Sequence, residues 1–316
     1  MFSTIVVVLM LVYSPLFALI GGSYFSANKV TQNNIQPVFQ LPYATAESIV
    51  PFLEVRDQAV FYPARNWSVQ DIEIEANSFI AIDLESPEKI LAQKNAGAVV
   101  SIASLTKLMT ALIVSEYLPP EEEIQISKSA VLMEGQMGNL IVGEKISVQN
   151  LLKIMLITSS NDATEAFRKT FAEKELDLVM LMNDKAKQLG LNNTFFSDVS
   201  GLDKNTVSTA TDMAFFAKKI LGNKLIANIT RTVETQVKSI DNVNPHLLNN
   251  SNNILGKYSN VLLSKTGTTE SAGECLLMVL TIDGKDSVAF IILGSKSRFK
   301  EMQSLISWTQ SAYLWK

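Results

Sequence analysis

A chain of 316 residues with 47% apolar side chains is long enough to bury one large core or two smaller ones, which excludes a wholly disordered protein. The net charge of -4 gives no basic face for nucleic acid, and no Gly-rich phosphate loop of the P-loop or dinucleotide type occurs. The single cysteine, Cys275, excludes an internal disulfide, and the single histidine, His246, excludes a zinc site built on several imidazoles.

In chain order, residues 1–28 carry no charged side chain, and the apolar run from Ile5 to Ile20 reads as an export signal or membrane anchor over residues 1–27. Residues 28–72 mix Asn, Gln, Pro and scattered aromatics without a sustained period and read as a linker or extension. The catalytic domain is expected over 73–316. It opens with "SFIAIDLES" and "KILAQKNA", two strands joined by a turn at Ser86 and Pro87. A helix from Ser104 is closed by Pro119 and Pro120, and the acidic run Glu121 to Glu123 reads as a solvated turn. In "SVQNLLKIML" the apolar residues follow a helical period behind a Ser147 cap. A further helix is expected from near Asp162, and another over "LVMLMNDKAKQLG", closed by Gly190. His246 sits in the Asn-rich segment "NVNPHLLNN", which reads as a loop. Past residue 260 the period becomes that of strands in "NVLLSKTGT", "CLLMVLTI" and "SVAFIILG", the last two joined through "DGKD". Cys275 lies inside one of these runs and reads as a buried structural thiol. Met302, Leu305, Ile306, Thr309 and Tyr313 then predict a closing amphipathic helix. Early strands, a helical middle and late antiparallel strands predict an α/β (α+β) domain whose ends share one sheet.

Between Lys94 and Glu116 the only charged residue is Lys107, flanked by Leu105, Leu108, Met109, Leu112 and Ile113. A helix apolar all round is normally buried, and an ammonium there is disfavoured unless it gains partners or loses its proton. Ser-x-x-Lys occurs at Ser26, Ser86, Ser104 and Ser297, but only Ser104 opens a buried helix. There the hydroxyl and the amine share a face, so a neutral Lys107 is placed to take the Ser104 proton during attack on a carbonyl. "TSSND" interrupts the helical pattern after Ile157 and suits a short loop presenting Ser159 and Asn161; the same residues also suit a helix cap. "SKTGT" ends a strand, with Lys265 as a cation and Gly267 allowing close backbone approach.

Ser-x-x-Lys, Ser-x-Asn and Lys-Thr-Gly in this order resemble the signature set of the penicillin-recognising serine enzymes. "IASLTKLMTALIV", "GEKISVQNLLKIMLITSSNDA", "LMNDKAKQLGLNNTFFSDVSGLD", "STATDMAFFAKKIL", "KTGTTESAGECL" and "LGSKSRF" further resemble successive blocks of the low-molecular-mass serine D-alanyl-D-alanine carboxypeptidases, from about residue 74 to 312. The resemblance implies a β-lactamase/transpeptidase-like fold: an antiparallel sheet flanked by helices, with an all-helical subdomain holding the Ser-x-Asn loop. It implies Ser104 as nucleophile, Lys107 as general base and Ser159 as a proton relay. Asn161 would bind the substrate amide, and Lys265, Thr266, Thr268 and Arg298 its terminal carboxylate, with the backbone of Gly267 beside them. The N-H groups of Ser104 and Thr268 would form the oxyanion hole. The implied partners are peptidoglycan stem peptides and, as covalent inhibitors, β-lactams, with no metal or organic cofactor. The implied location is extracytoplasmic, either anchored through the N-terminal segment or released after its cleavage. Many relatives continue into a C-terminal β-domain and an amphipathic helix, whereas this chain ends soon after the last block, which leaves the N-terminal segment as the expected anchor.

Two positions depart from the family pattern and are expected to border the cleft: Ser160, where Gly or Ala is usual, and Thr268, where an aromatic is common. The Glu-x-x-Leu-Asn string of class A β-lactamases is absent between Asn161 and Lys265. A D,D-endopeptidase using the same residues stays open, as does a non-catalytic cell-wall-binding protein, against which the intact motif serines and lysines speak.

Overall fold

The computed structural model describes residues 63–315 apart from 88, 136–137, 241–243 and 285. The apolar segment expected over 1–27 and most of the 28–72 extension lie outside the described residues. Among the described residues no helix is long and apolar enough to cross a membrane.

Five antiparallel strands form the central sheet: β1 (Ser78–Asp83), β2 (Ile90–Lys94), β3 (Val261–Thr269), β4 (Gly273–Ile282) and β5 (Asp286–Ser295), in the order β3-β4-β5-β1-β2. The first and last parts of the chain therefore share one sheet, as the strand pattern predicts. Its inner strands are apolar on both sides because both faces are covered. Leu277 pairs with Ile291 and Ile291 with Ile80 on one face; Met278, Phe290 and Ala81 form the neighbouring row on the other. The β4–β5 turn places Asp283 at φ 50° and Gly284 at φ 75°, a left-handed geometry that Asp and Gly tolerate.

The second face packs on α6 (Arg298–Ala312) through Met302, Leu305 and Ile306. Tyr313 ends that helix and enters a two-residue strand with Leu314, opposite Ala64–Arg65. Arg65 lies against the rings of Trp67, Trp308 and Tyr313, so residues 64–67, read from the sequence as linker, pack on the C-terminal helix.

The first face carries the helices. They are α1 (Lys107–Tyr117), α2 (Val148–Ile157), α3 (Asn161–Glu173), α4 (Leu178–Gln188) and α5 (Ala210–Ile220). Ser147 caps α2 by accepting from Asn150 N, as its position in the sequence predicts. Three expectations need correction. Glu123 belongs to a short strand, Glu123–Gln125, paired with Lys145–Ser147, because Ile124 faces the core between two exposed neighbours. The helix expected from Ser104 begins as a 3-10 turn, Ala103–Thr106, and becomes α-helical only at Lys107. His246 is not in a loop but in the strand Pro245–Asn249, paired with Glu234–Lys238.

Burying a large apolar side chain is worth about 1.5–3 kcal/mol, and truncating one in a packed core costs more because a cavity remains. Phe290, fully buried between β4 and β1, is the largest such ring in the sheet. Phe290→Ala is expected to lower the free energy of unfolding by about 3–5 kcal/mol in denaturant titrations.

Candidate active site

Three elements converge at one edge of the sheet. The first is the 3-10 turn carrying Ser104. A 3-10 helix has three residues per turn, so side chains at i and i+3 eclipse. Ser-x-x-Lys spacing thus sets the Lys107 amine directly under the Ser104 hydroxyl, at 2.7 Å. The turn is tight: Ala103 sits at φ 47°, and the Thr106 hydroxyl donates to the Ala103 carbonyl at 2.7 Å. It is also wedged from outside. A Cβ at Gly201, itself at φ 81°, would lie 1.9 Å from the Ala103 oxygen, and one at Gly267 would lie 2.9 Å from Ser104 N. Only glycine lets those two backbones approach so closely.

The second element is the three-residue joint between α2 and α3. Thr158 ends α2, Ser159 takes φ 63°, and Ser160 caps α3 by accepting from Ala163 N at 2.9 Å. Ser160 is fully buried and bonded to Asp162 as well, so it does not border the cleft as expected; its hydroxyl is consumed by the cap. With Ser160 facing inward, Ser159 and Asn161 are left to face the other motifs. The Asn161 Oδ1 accepts from Lys107 Nζ at 2.8 Å, while its Nδ2 donates to the Glu134 carbonyl at 2.8 Å. That carbonyl can only accept, which fixes the amide orientation.

The third element is β3, at the sheet edge. Lys265 Nζ donates to Ser159 Oγ at 2.8 Å and to the Thr266 carbonyl at 2.9 Å. The Thr266 side chain is nearly buried and hydrogen bonds to Ser251 Oγ at 2.5 Å. Arg298, at the start of α6, donates from one guanidinium nitrogen to the Gly267 carbonyl at 2.7 Å and to the Thr268 hydroxyl. The nine residues singled out in the sequence therefore fall into three hydrogen-bonded groups, Ser104–Lys107–Asn161, Ser159–Lys265–Thr266 and Gly267–Thr268–Arg298, brought side by side by the joint, the strand and the approach of Gly267 to Ser104 N.

The electrostatics follow from burial. Lys107 is fully buried, and desolvation lowers its pKa from 10.5 to about 7 against the opposing pull of Asp198 and Asp162. Its third partner is the Ser200 carbonyl, at 2.9 Å. A neutral amine has two N-H groups and one lone pair. Asn161 Oδ1 and Ser200 O are pure acceptors and take the two N-H groups, so the lone pair is left for the Ser104 hydroxyl. Lys265 is held well below the ordinary lysine range by burial first, then by Lys107 and Arg298. An anion entering beside it would stabilise its charged form. Cys275 is pushed up to about 11 by burial inside β4, the behaviour of a structural thiol.

A family model described as D-alanyl-D-alanine carboxypeptidase matches residues 65–297. The chain belongs to this family. It is 32% identical over 247 residues to the D-alanyl-D-alanine carboxypeptidase DacF of Bacillus subtilis, covering 76% of this chain and 63% of that protein. It is 30% identical over 271 residues to the D-alanyl-D-alanine endopeptidase of Escherichia coli, covering 83% and 85%. Among solved structures, the Streptomyces K15 DD-transpeptidase superposes with a TM-score of 0.71 at 25% identity, covering 77% of this chain and all of that one. The fold is thus the β-lactamase/transpeptidase-like one. The chain spans under two thirds of the length of DacF but most of the endopeptidase.

Some of the network carries no sequence signal. The Ser200 and Glu134 carbonyls are backbone groups, which every residue has. Asp198 is their organiser on one side. Burial works to raise its pKa, but bonds from the Ser200 and Thr206 hydroxyls, both 2.6 Å, and from the Leu202 amide hold it below the usual range. Ser251 had a possible signal in its Asn-rich surroundings, since short polar runs favour side-chain-to-backbone bonds.

Gly201→Ala is expected to cost about 1–3 kcal/mol of stability, because both the left-handed backbone and the contact with Ala103 resist a side chain. Acylation of Ser104 by a β-lactam should slow in the same variant. A variant with unchanged melting and acylation would show that the turn does not depend on this contact.

Proposed function

We propose that the chain is a serine D-alanyl-D-alanine carboxypeptidase that trims the terminal D-Ala from peptidoglycan stem peptides and is acylated by β-lactams. The observation that carries this reading is the Lys107 amine: two obligate acceptors occupy its N-H groups and Ser104 faces its lone pair.

In the first half-reaction the Lys107 lone pair takes the Ser104 proton while Oγ attacks the carbonyl carbon of the penultimate D-Ala. The developing oxyanion is held by the backbone N-H groups of Ser104 and Thr268, brought near each other by the close approach of Gly267 to the turn. The C–N bond then breaks. The proton passes from Lys107 by way of Ser159 to the departing D-Ala nitrogen, leaving an ester on Ser104. In the second half-reaction water gives a proton to Lys107 and attacks the ester, and the proton returns to Ser104 Oγ as the acid leaves. Lys265, Arg298 and the hydroxyls of Thr266 and Thr268 hold the terminal carboxylate. This fits the electrostatics, because Lys107, Lys265 and Arg298 lie together and no carboxylate hydrogen bonds to either lysine amine among the described residues. Asn161 binds the substrate amide beside Lys107.

The second reading is a D,D-endopeptidase that cuts cross-links with the same residues, favoured by relatives of that name in Escherichia coli and Pseudomonas aeruginosa at 30% and 32% identity. Either activity belongs outside the cytoplasm, where the polymer is, with residues 1–27 as anchor or export signal.

Fluorescent penicillin is expected to label the wild-type protein covalently and to leave Ser104→Ala unlabelled. Mass spectrometry should then show D-Ala released from a purified pentapeptide, with a cross-linked dimer left intact. Cleavage of the dimer instead would establish the endopeptidase reading, and an unlabelled wild type would leave the non-catalytic wall-binding protein.

A further inference from the structure

Outside the three motifs lies a buried pair of ionisable side chains, a histidine and a glutamate, that no catalytic step uses. His246 and Glu144 have side chains only 3% and 0% exposed. The His246 Nδ1 donates to the Gly138 carbonyl at 3.0 Å, and its Nε2 is hydrogen-bonded to Glu144 Oε1 at 2.6 Å. The other Glu144 oxygen accepts from Ile141 N at 3.1 Å. One ring therefore binds a segment at both ends, at residue 138 and at residue 144.

That segment needs holding. Asn139, Ile141, Val142 and Gly143 are exposed, and only Gly138, Leu140 and Glu144 turn inward. A stretch with so few apolar anchors belongs to the low-stability end of a fold unless polar bonds fix it. It also touches the catalytic joint. A Cβ at Gly138 would lie 3.0 Å from both Ser160 Oγ and Asp162 Oδ1, and one at Gly135 only 2.6 Å from Asn161 Nδ2. Asn161, between Ser160 and Asp162, holds Lys107 through its amide oxygen.

From the other side, His246 stands on the strand Pro245–Asn249, which runs directly into Ser251 and Asn252. These bond to Thr266 and Ser264 of β3 at 2.5 and 2.8 Å. His246 thus ties the segment that backs Asn161 to the hairpin that backs the Lys-Thr-Gly strand.

We propose that His246, with Glu144, is a positioning residue for acyl transfer: its two ring bonds clamp residues 138–144 so that Gly138 stays packed on Ser160 and Asp162, which flank Asn161, and Asn161 holds Lys107 in the reactive arrangement. The proposal rests on the acyl-transfer reading above. A clamp of this kind acts more on the covalent step than on initial binding: Asn161 contributes one hydrogen bond to the substrate amide, while the carboxylate site lies on β3 and α6. Misplacing a reacting group by about 1 Å costs on the order of 100-fold in rate.

The test separates the dissociation constant of the initial penicillin complex from the acylation constant by stopped-flow labelling. His246→Leu, which removes both bonds, is expected to lower the acylation constant on the order of 100-fold and to change the dissociation constant by less than about tenfold, the worth of one hydrogen bond. His246→Asn, which keeps a donor for the Gly138 carbonyl, should recover about tenfold of that loss. Leu280→Ala removes a fully buried residue of β4 on the sheet face that packs on α6, and lowers stability without touching the clamp. It should leave the acylation constant within about twofold of wild type. Wild-type acylation by His246→Leu, no recovery in His246→Asn, or an equal loss in Leu280→Ala each overturns the proposal. Should His246→Leu not fold, Glu144→Gln replaces it, with a loss of about tenfold expected and wild-type acylation overturning the clamp. A wild-type chain that takes no label fails the acyl-transfer reading instead, so the two failures are distinguishable.

Discussion

An amine surrounded by packed apolar side chains loses its hydration, and the rest of this site is arranged around that loss. Lys107 lies fully buried beside Leu105, Leu108 and Met109. A fall in pKa from 10.5 to about 7 corresponds to about 5 kcal/mol held against the charged form. The fold recovers part of this through three hydrogen bonds at 2.7 to 2.9 Å. Those partners come from three separate places: the turn before α1, the first residue of α3, and the loop organised by Asp198. Each would serve a neutral amine as well as a charged one, and the neutral amine leaves a lone pair on the side of Ser104. Burial thus yields an amine that titrates near neutral pH, which suits the role of base proposed for it.

The sheet makes this arrangement possible by presenting an edge. Among the described residues strand β3 pairs only with β4, and its outer side lies along the Ser104 turn. Gly267 and Gly201 let two backbones close on that turn from different directions. The apolar rows on both faces of β4 and β5 keep the edge rigid, and α6 brings Arg298 to its end. Lys265 then reaches across to Ser159 on the helical side, so the same strand connects the two halves of the cleft.

Side chains with chemistry of their own were legible in the sequence, while their supports were not. Lys107 stood out because it is the one charge in a long apolar stretch, Ser159 and Asn161 because the helical pattern breaks where they stand, and Lys265 through its Lys-Thr-Gly string, which lies in the middle of β3 rather than at its end. The five sheet strands followed from two long apolar runs and three shorter ones bounded by turn residues. Carbonyl partners such as Ser200 and Glu134 have no residue-specific mark. Ser160 was misplaced because cap and cleft residues use the same small polar types; the helix start at Asn161, one residue before the expected one, decides for the cap. His246 looked like a loop residue because Asn neighbours and adjacent leucines hide the alternation. In the folded strand Leu247 is 71% exposed while His246 and Leu248 are buried, the reverse of what hydropathy alone would assign. The tight 3-10 turn was likewise hidden, since Ser-x-x-Lys suits an α-helical face nearly as well.

The most direct test of a neutral Lys107 is the pH dependence of the acylation constant at saturating β-lactam, where binding of the carboxylate drops out. Acid protonates the amine and removes its lone pair. The constant should therefore be level above neutrality and fall about tenfold per pH unit below an apparent pKa of about 7. A constant that stays level from about pH 8 down to about pH 5.5 would contradict the account, because a protonated Lys107 cannot accept the Ser104 proton.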